Sequence, residues 1–154
     1  MIDRVDRKII RELQVDGRIT NQALADKVGL SPSPCLRRLR RLEEDGVIQG
    51  YTASIDRNRY GLPINVFVSV KLTRQTEDTL AEFETAIAGW DEVLDCFLMT
   101  GTRDYQLRVV AASLEAYERF LKTRLTRLSC VASIETSFAL GIVKNTPVFP
   151  MVTD

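Results

Sequence analysis

Residues 19–51 decide the fold of the N-terminal part of the chain, and they read ITNQALADKVGLSPSPCLRRLRRLEEDGVIQGY. Thr20 is placed to cap a first helix, and Gly29 is placed to end it in a left-handed conformation. Ser33 suits the N-cap of a second helix, because Pro34 then occupies the first helical position, where no N–H is needed. The pattern predicts two helices joined by a tight turn.

The second of these helices is predicted to have one apolar side and one arginine-bearing side. Projected at about 100° per residue, one arc holds Cys35, Leu36, Leu39 and Leu42, and the opposite arc holds Ser33, Arg37, Arg40, Arg41 and Glu44, with Arg38 at its edge. Such a helix, held by a turn against a preceding helix, is typical of a DNA-reading helix-turn-helix. The alternative is an ordinary amphipathic bundle with a solvated arginine face.

The flanking residues extend this pair to a winged helix-turn-helix. Asp3 and Asp6 suit the start of an upstream helix, whose apolar residues recur at helical spacing: Val5, Ile9, Ile10 and Leu13. Downstream, Gly46 to Ile55 is predicted to form a short extended ribbon. We therefore expect residues 1–60 to be a winged helix-turn-helix domain.

Composition excludes several classes of protein. The chain has 154 residues, of which 45% are hydrophobic and 27% charged, as in ordinary globular proteins. No apolar run approaches the ~20 residues of a membrane span, and the charged N-terminus, MIDRVDRKII, predicts a cytoplasmic protein. The three cysteines are far apart and histidine is absent, so neither disulfides, a metal site nor a cofactor is predicted.

Charge is distributed unevenly along the chain. Residues 1–60 contain 12 Lys+Arg and 9 Asp+Glu, a net charge of +3, whereas residues 61–154 contain 9 and 12, a net charge of −3. This division suggests two parts with different partners. The boundary is expected at residues 56–64, where Gly61 and Pro63 interrupt a polar stretch.

The second part is predicted to alternate strands and helices. Strands are expected at Asn65–Leu72, Val93–Thr100, Tyr105–Ala111 and Val131–Ile142, and helices at Thr79–Ala88 and Leu114–Leu128. The order β-α-β-β-α-β is that of a ferredoxin-like fold. The whole chain is therefore assigned to the α+β class, with residues 61–154 as its second domain.

One face of this sheet is left without helices. Two helices cover one side of four strands, while Val93–Met99 and Ile134–Ile142 carry apolar residues at both parities, as strands buried on both faces do. A symmetric homodimer that packs sheet against sheet is the simplest solution.

The chain resembles the Lrp/AsnC family, the feast/famine regulators. The resemblance lies in DRKIIRELQVDGRITNQALADKVGLSPSPCLRRLRRLEEDGVIQGYTA, residues 6–53, in TGTRDYQLRV, residues 100–109, and in the terminal βαβ order. It implies a DNA-binding N-terminal domain and a C-terminal domain that senses amino acids or related metabolites. It also implies homodimers that commonly assemble into octamers.

The resemblance places DNA contacts on the second helix of the helix-turn-helix. The matching positions here are Ser33, Arg37, Arg38 and Arg41, followed by Arg40. Arg37 and Arg41 are spaced i,i+4, which suits one pass through the major groove, where arginine bonds guanine edges. Arg38 and Arg40 are then expected at phosphates, although the sequence does not separate these roles.

The resemblance places the effector site at the loop between the second and third strands of the second domain. That loop comprises Met99, Thr100, Gly101, Thr102, Arg103, Asp104 and Tyr105, with Thr136 and Ser137 as weaker candidates. Backbone N–H groups beside Gly101 can receive a carboxylate, and Asp104 is expected to receive an α-ammonium. Thr102 stands where relatives often carry an acidic residue. The alternative is a plain β-turn.

Two other classes of function fit the sequence less well. An enzyme is disfavoured, because no dyad that needs histidine can be built and the glycine loop lacks the spacing of nucleotide-binding motifs. A metabolite-binding oligomeric module without direct DNA readout remains the alternative. It should tolerate alanine at Arg37 and Arg41, whereas a DNA reader should not.

Overall fold

The computed structural model describes residues 2–152 and divides the chain into two compact units. One comprises the residues up to Ser54 together with those from Val143 onward, and the other comprises Ile55–Ile142. The end of the chain therefore differs from the predicted 61–154 domain. The side-chain amide of Gln14 explains this, because it donates to the Pro147 carbonyl (2.9 Å) and accepts from the Phe149 N–H (3.3 Å).

The first unit contains three helices: α1 (Arg4–Val15), α2 (Asn21–Val28) and α3 (Pro32–Glu44). Asp3 caps α1 in a capping box with Asp6, and Thr20 caps α2 by accepting from the Ala23 N–H. Gly29 ends α2 with a left-handed φ of 74°. These local predictions are confirmed.

Helix α3 begins two residues earlier than expected. Its N-cap is Ser31 and not Ser33, with Pro32 at the first helical position. Both Pro32 and Pro34 are tolerated there, since the N–H groups of a first helical turn have no partner within the helix. Ser33 consequently lies inside the first turn with an exposed side chain.

The core of the first unit confirms the buried side of α3 with one exception. Ile9, Leu24, Ala25, Val28, Cys35 and Leu42 are buried together, and Leu39 packs against them. Leu36 is outside this cluster, so its predicted inward position is wrong. On a helical wheel at about 100° per residue, Leu36 lies about 100° from the buried Cys35 and next to Arg40. Arg38 lies only about 60° from Cys35, on its other side, and so is closer to the buried face than Leu36 is.

The segment after α3 does not form the expected ribbon, since residues 46–55 contain no strand. Gly46 and Gly50 adopt positive φ values of 69° and 155°, which interrupt an extended run. The segment is tied to α3 instead: the Ile48 N–H donates to the Leu42 carbonyl at 3.0 Å, and the Tyr51 hydroxyl donates to Glu43 at 2.8 Å.

The second unit confirms the order β-α-β-β-α-β. After a short helix α4 (Arg57–Tyr60), it comprises β1 (Ile64–Leu72), α5 (Glu77–Ala88), β2 (Val93–Leu98), β3 (Tyr105–Ala111), α6 (Leu114–Thr123), a 3₁₀ turn (Leu125–Arg127) and β4 (Val131–Phe138). The strands lie in the order β2-β3-β1-β4, and each neighbouring pair is antiparallel.

Strand β4 ends four residues before the predicted Ile142. Phe138 pairs with Val66, and the Ala139 N–H still donates to the Asn65 carbonyl. Beyond that point the neighbouring chain leads into Pro63, which has no N–H for a ladder. The strand stops because its partner stops.

The core of the second unit lies between the sheet and its two long helices. Alternate residues of β1 and β3 are buried there with side chains of α5 and α6: Val66, Val68, Val70, Tyr105, Leu107, Val109, Phe83, Ile87, Tyr117 and Phe120. The rings of Phe83 and Tyr105 are in contact, with centroids 4.5 Å apart and planes tilted by 34°.

The other side of the sheet, which we call the open face, is mixed and not uniformly apolar. By the strand register it carries Phe67, Ser69, Gln106, Arg108, Asp95 and Phe97. Phe67 and Phe97 are 40% and 56% exposed, and Arg108 pairs with Asp95 at 2.5 Å. The predicted burial of both faces, based on apolar residues at odd and even positions of two strands, therefore overestimated how apolar this face is. Within residues 2–152, no helix combines the length and apolar character needed to span a membrane.

Candidate nucleic-acid interface and ligand-binding loop

Helix α3 presents most of the predicted DNA-binding residues on one open surface. A shallow groove of about 540 Å³ is lined by Ser33, Leu36, Arg37, Arg40, Arg41 and Glu44. The side chain of Leu36 thus lies among the arginines, where sequence reasoning did not place it. Arg38 does not line this groove.

Arg38 and Arg41 are held by carboxylates at the start of α1. Arg38 Nη1 donates to Asp3 Oδ2 at 2.7 Å and to Asp6 Oδ1 at 2.9 Å, and its side chain is only 28% exposed. The hydrogen bond to Asp3, followed by that to Asp6, raises the pKa of Arg38. Arg41 Nη2 donates to Asp6 Oδ2 at 2.6 Å. The expected phosphate and base roles of these two arginines therefore compete with contacts inside the protein.

Arg37 and Arg40 differ from this pair. Both are exposed, and neither forms an ion pair with any carboxylate in residues 2–152. Of the four arginines at positions 37–41, two are held by carboxylates and two have no carboxylate partner in the described part of the chain. Asp3 and Asp6 were recognised from sequence only as helix-start residues. In the sequence, only the local excess of arginine indicated that Asp3 and Asp6 would also bind arginine side chains.

The predicted effector loop is a tight turn between β2 and β3. The Met99 N–H donates to the Asp104 carbonyl at 2.8 Å, and the Asp104 N–H donates to the Val70 carbonyl at 2.9 Å. Gly101 has a φ of 105°, a conformation that glycine adopts readily. Residues 99–102 are exposed, and because the Met99 N–H is already bonded to Asp104, the N–H groups of residues 100–102 are the ones a ligand could receive.

Asp104 turns inward, away from the loop surface. Only 6% exposed, its carboxylate accepts from the Leu72 N–H (2.7 Å), from Gln75 Nε2 (2.6 Å) and from Lys71 Nζ (3.5 Å). Burial acts to raise its pKa, but these hydrogen bonds and the Lys71 charge lower it below the ordinary value. This geometry does not fit the expected capture of an α-ammonium by Asp104. The carboxylate anchors the loop to β1.

Arg103 crosses the open face of the sheet. Its Nη1 donates to Ser133 Oγ at 2.8 Å, and its Nη2 donates to Glu135 Oε2 at 2.6 Å. Ser137 lies on the same face, because β4 places alternate residues on one side.

Tyr105 and Thr136 belong to the helix-covered side. The Tyr105 hydroxyl donates to Glu84 at 2.6 Å, and burial together with this bond raises its pKa. Thr136 shares a hydrogen bond of 2.7 Å with the Tyr117 hydroxyl. Thr136 and Ser137 therefore face opposite sides of the sheet within one chain, and their role as weaker candidates for the effector site stays a prediction.

Comparison with known proteins decides the family. Residues 2–49 match the winged helix-turn-helix DNA-binding family, and residues 65–149 match the Lrp/AsnC ligand binding domain. The chain belongs to the Lrp/AsnC family. The resemblance in residues 6–53 and 100–109 is thereby confirmed, as is the α+β fold class.

Relatives agree over nearly the full length of this Lrp/AsnC chain. The Bkd operon transcriptional regulator of Pseudomonas aeruginosa is 52% identical over 142 residues, which are 92% of this chain and 93% of the relative. The leucine-responsive regulatory protein of Escherichia coli is 42% identical over 144 residues, 94% and 88% of the two chains.

Solved structures agree equally well. A transcriptional regulator of Neisseria meningitidis in complex with L-methionine is 36% identical, with a TM-score of 0.93 and 97% of each chain covered. The feast or famine regulatory protein of Mycobacterium tuberculosis, complexed with L-methionine, is 34% identical, with a TM-score of 0.81 and coverage of 94% and 96%. All four of these relatives are regulatory proteins by name.

Proposed function

We propose that this chain is a sequence-specific DNA-binding transcriptional regulator whose DNA affinity or assembly responds to an amino acid. The observation that carries the proposal is the exposed, uncommitted pair Arg37 and Arg40 on the outer side of α3. Arginine forms bidentate bonds to guanine edges in the major groove and also binds phosphates. We also propose that the protein acts in the cytoplasm, together with the DNA that it binds.

The roles of the arginines differ from those expected by spacing alone. Arg37 and Arg40 are proposed to reach the duplex, with Ser33 near the start of the same helix. Arg41 lines the same groove but is bonded to Asp6, and Arg38, bonded to Asp3 and Asp6, does not line the groove. The predicted five-residue surface remains a proposal with these revised roles.

A gel shift at constant salt tests the DNA-reading role. The double substitution Arg37→Ala and Arg40→Ala should abolish specific operator binding, since each lost bidentate base contact costs roughly 1–3 kcal/mol. The matched control is Arg74→Ala with Arg119→Ala, which removes the same charge from exposed sites of the second unit. Unchanged operator affinity in the first variant would favour an interaction module without direct readout.

The effector site is proposed at the exposed backbone of residues 99–102 together with Arg103. The two relatives in complex with L-methionine support an α-amino acid as the class of ligand. Free N–H groups near Gly101 suit its carboxylate. Asp104 is assigned to holding the loop, and Tyr105, Thr136 and Ser137 remain neighbours of the site whose contact with ligand is untested.

A thermal-shift screen against the twenty amino acids tests this site. A ligand that binds only the folded state stabilises that state by RT ln(1 + L/Kd), where L is the free ligand concentration, and so raises the unfolding temperature. Arg103→Gln should lose this response while retaining operator binding without ligand. The control is Arg127→Gln, outside the loop. Equal responses in all three proteins would place the effector elsewhere.

A homodimer, assembling further to an octamer, is the proposed working form. An isolated helix-turn-helix with two uncommitted arginines neutralises few phosphates, and non-specific affinity depends on their number. Several copies bound together supply the missing affinity.

A further inference from the structure

Two carboxylates at the start of α1 form ion pairs with two of the four arginines on α3. Asp6 is fully buried, yet its two oxygens receive Arg38, Arg41 and the Asp3 N–H, the last at 3.1 Å. Asp3 adds a second carboxylate to Arg38. The four charged groups form one compact network, in which two positive and two negative charges balance.

The geometry points to Asp6, assisted by Asp3, as a residue that sets DNA specificity by withholding Arg38 and Arg41 from phosphates. This inference rests on the proposed function and adds a second layer to it. The reading surface then keeps the two uncommitted arginines for the operator, while general attraction to any duplex is reduced.

Burial makes the restraint effective. An ionised carboxylate without exposure to water is strongly destabilised when its partners leave. Arg41 can therefore leave Asp6 for a phosphate only by abandoning half of the charge compensation of that carboxylate. Arg38 is bound to two carboxylates at once, so its release is harder still.

The consequence for DNA binding follows from counterion release. Affinity for an arbitrary duplex grows with the number of phosphates neutralised, whereas discrimination depends on base contacts. Withholding two arginines lowers the affinity for an arbitrary duplex. Discrimination between sequences then depends on Arg37 and Arg40. The ratio of operator affinity to random-duplex affinity is therefore higher than four free arginines would allow.

Asp6→Asn in the full chain separates this role from a purely structural one. The operator is first selected from random duplexes, and affinity for it and for a random duplex of equal length is then measured across a salt series. We expect random-duplex affinity to rise several-fold near 0.1 M salt. The salt slope should steepen by about 1 for each arginine released, and the operator-to-random ratio should fall.

Two further variants keep the test decisive. Asp3→Ser retains a helix-capping residue and removes only one of the two carboxylates that bind Arg38. A smaller increase in random-duplex affinity and in salt slope is therefore expected. Glu12→Gln is the matched control: it makes the same charge change on α1 but frees Lys27, which pairs with Glu12 at 2.7 Å. If Asp6→Asn melts below the assay temperature, Asp3→Ser decides the outcome.

The result that overturns the inference is equally specific. If Asp6 serves only to hold α1 against α3, Asp6→Asn should weaken binding to every duplex. The salt slope should then be no steeper than that of Glu12→Gln. If the wild-type chain selects no operator at all, the proposed function itself fails. A wild type that selects an operator, with variants that do not steepen the slope, removes only the role of Asp6.

Discussion

Single residues on α3 have separable tasks. Leu42 is 1% exposed in the core of the first unit, whereas Leu36 lies outside that core and lines the groove with Arg37 and Arg40. Two leucines six positions apart on one helix therefore differ in what they stabilise.

Alanine at these two leucines should have unequal effects on stability. Leu42→Ala removes buried methyl groups and leaves a cavity, so the free energy of unfolding should fall by about 2–5 kcal/mol. Leu36→Ala should cost less than about 1 kcal/mol. Urea denaturation of the two variants measures this difference, and equal losses would show that Leu36 is a core residue.

The charge of Asp3 should make α1 sensitive to acid. The hydrogen bond from the Asp6 N–H, followed by that from Arg38, lowers the pKa of Asp3 from 3.8 to about 2. A depressed pKa in the folded state stabilises that state above the unfolded pKa, and the stabilisation is lost as the pH falls toward the folded pKa. The relevant window is therefore about pH 4 to 2.

Comparing wild type with Asp3→Asn across pH tests this dependence. The difference in unfolding free energy should be constant from pH 8 to about 5 and should shrink below about pH 4. Circular dichroism during urea titration provides the measurement. A difference that grows on acidification would contradict the assigned pKa shift.

At the scale of elements, local signals predicted both ends of α2 and the centres of the strands. Thr20 and Gly29 were found from sequence because capping needs only neighbouring backbone groups. The partners of Arg41 and Asp104 were not found, because Asp6 and Leu72 are 35 and 32 residues away. Such contacts depend on how elements dock, which short-range periodicity does not encode.

The same limit explains the errors at the candidate site. Strand periodicity identified β4, and its register places Thr136 on the helix-covered side and Ser137 on the open face. Ser31 and Ser33 both precede proline, so the N-cap could not be chosen by residue type alone. The family resemblance located the loop but not the inward turn of Asp104.

The junction of the loop and β1 should depend on Asp104. Asp104→Ala leaves the buried Leu72 N–H without its acceptor, so the free energy of unfolding should fall by about 1–3 kcal/mol. Faster hydrogen exchange of the Leu72 amide should accompany the loss. Asp91→Ala, at an exposed position, is the control. Unaltered exchange at Leu72 would mean that another acceptor replaces the carboxylate.

At the scale of the whole molecule, charge and exposed surface both suggest assembly. Residues 1–60 carry +3 and residues 61–154 carry −3, so DNA attraction is concentrated in one part of the chain. The open face of the sheet exposes Phe67 and Phe97. A second copy is the expected cover for this face.

A charge on the open face should therefore reduce the size of the assembly. Phe97→Lys places an ammonium group where two sheets are expected to meet, and burying it unpaired is unfavourable. Analytical ultracentrifugation should show a shift toward monomer. Tyr60→Lys, at a side chain that is 73% exposed on α4, should not change the distribution. An unaltered distribution for Phe97→Lys would exclude this face as the interface.

The most direct test of the central claim is a structure of the chain bound to its selected operator. We expect α3 in the major groove, Arg37 and Arg40 within hydrogen-bond distance of bases or phosphates, and Arg38 and Arg41 still bonded to Asp3 and Asp6. A complex in which the outer surface of α3 faces away from the duplex would contradict it.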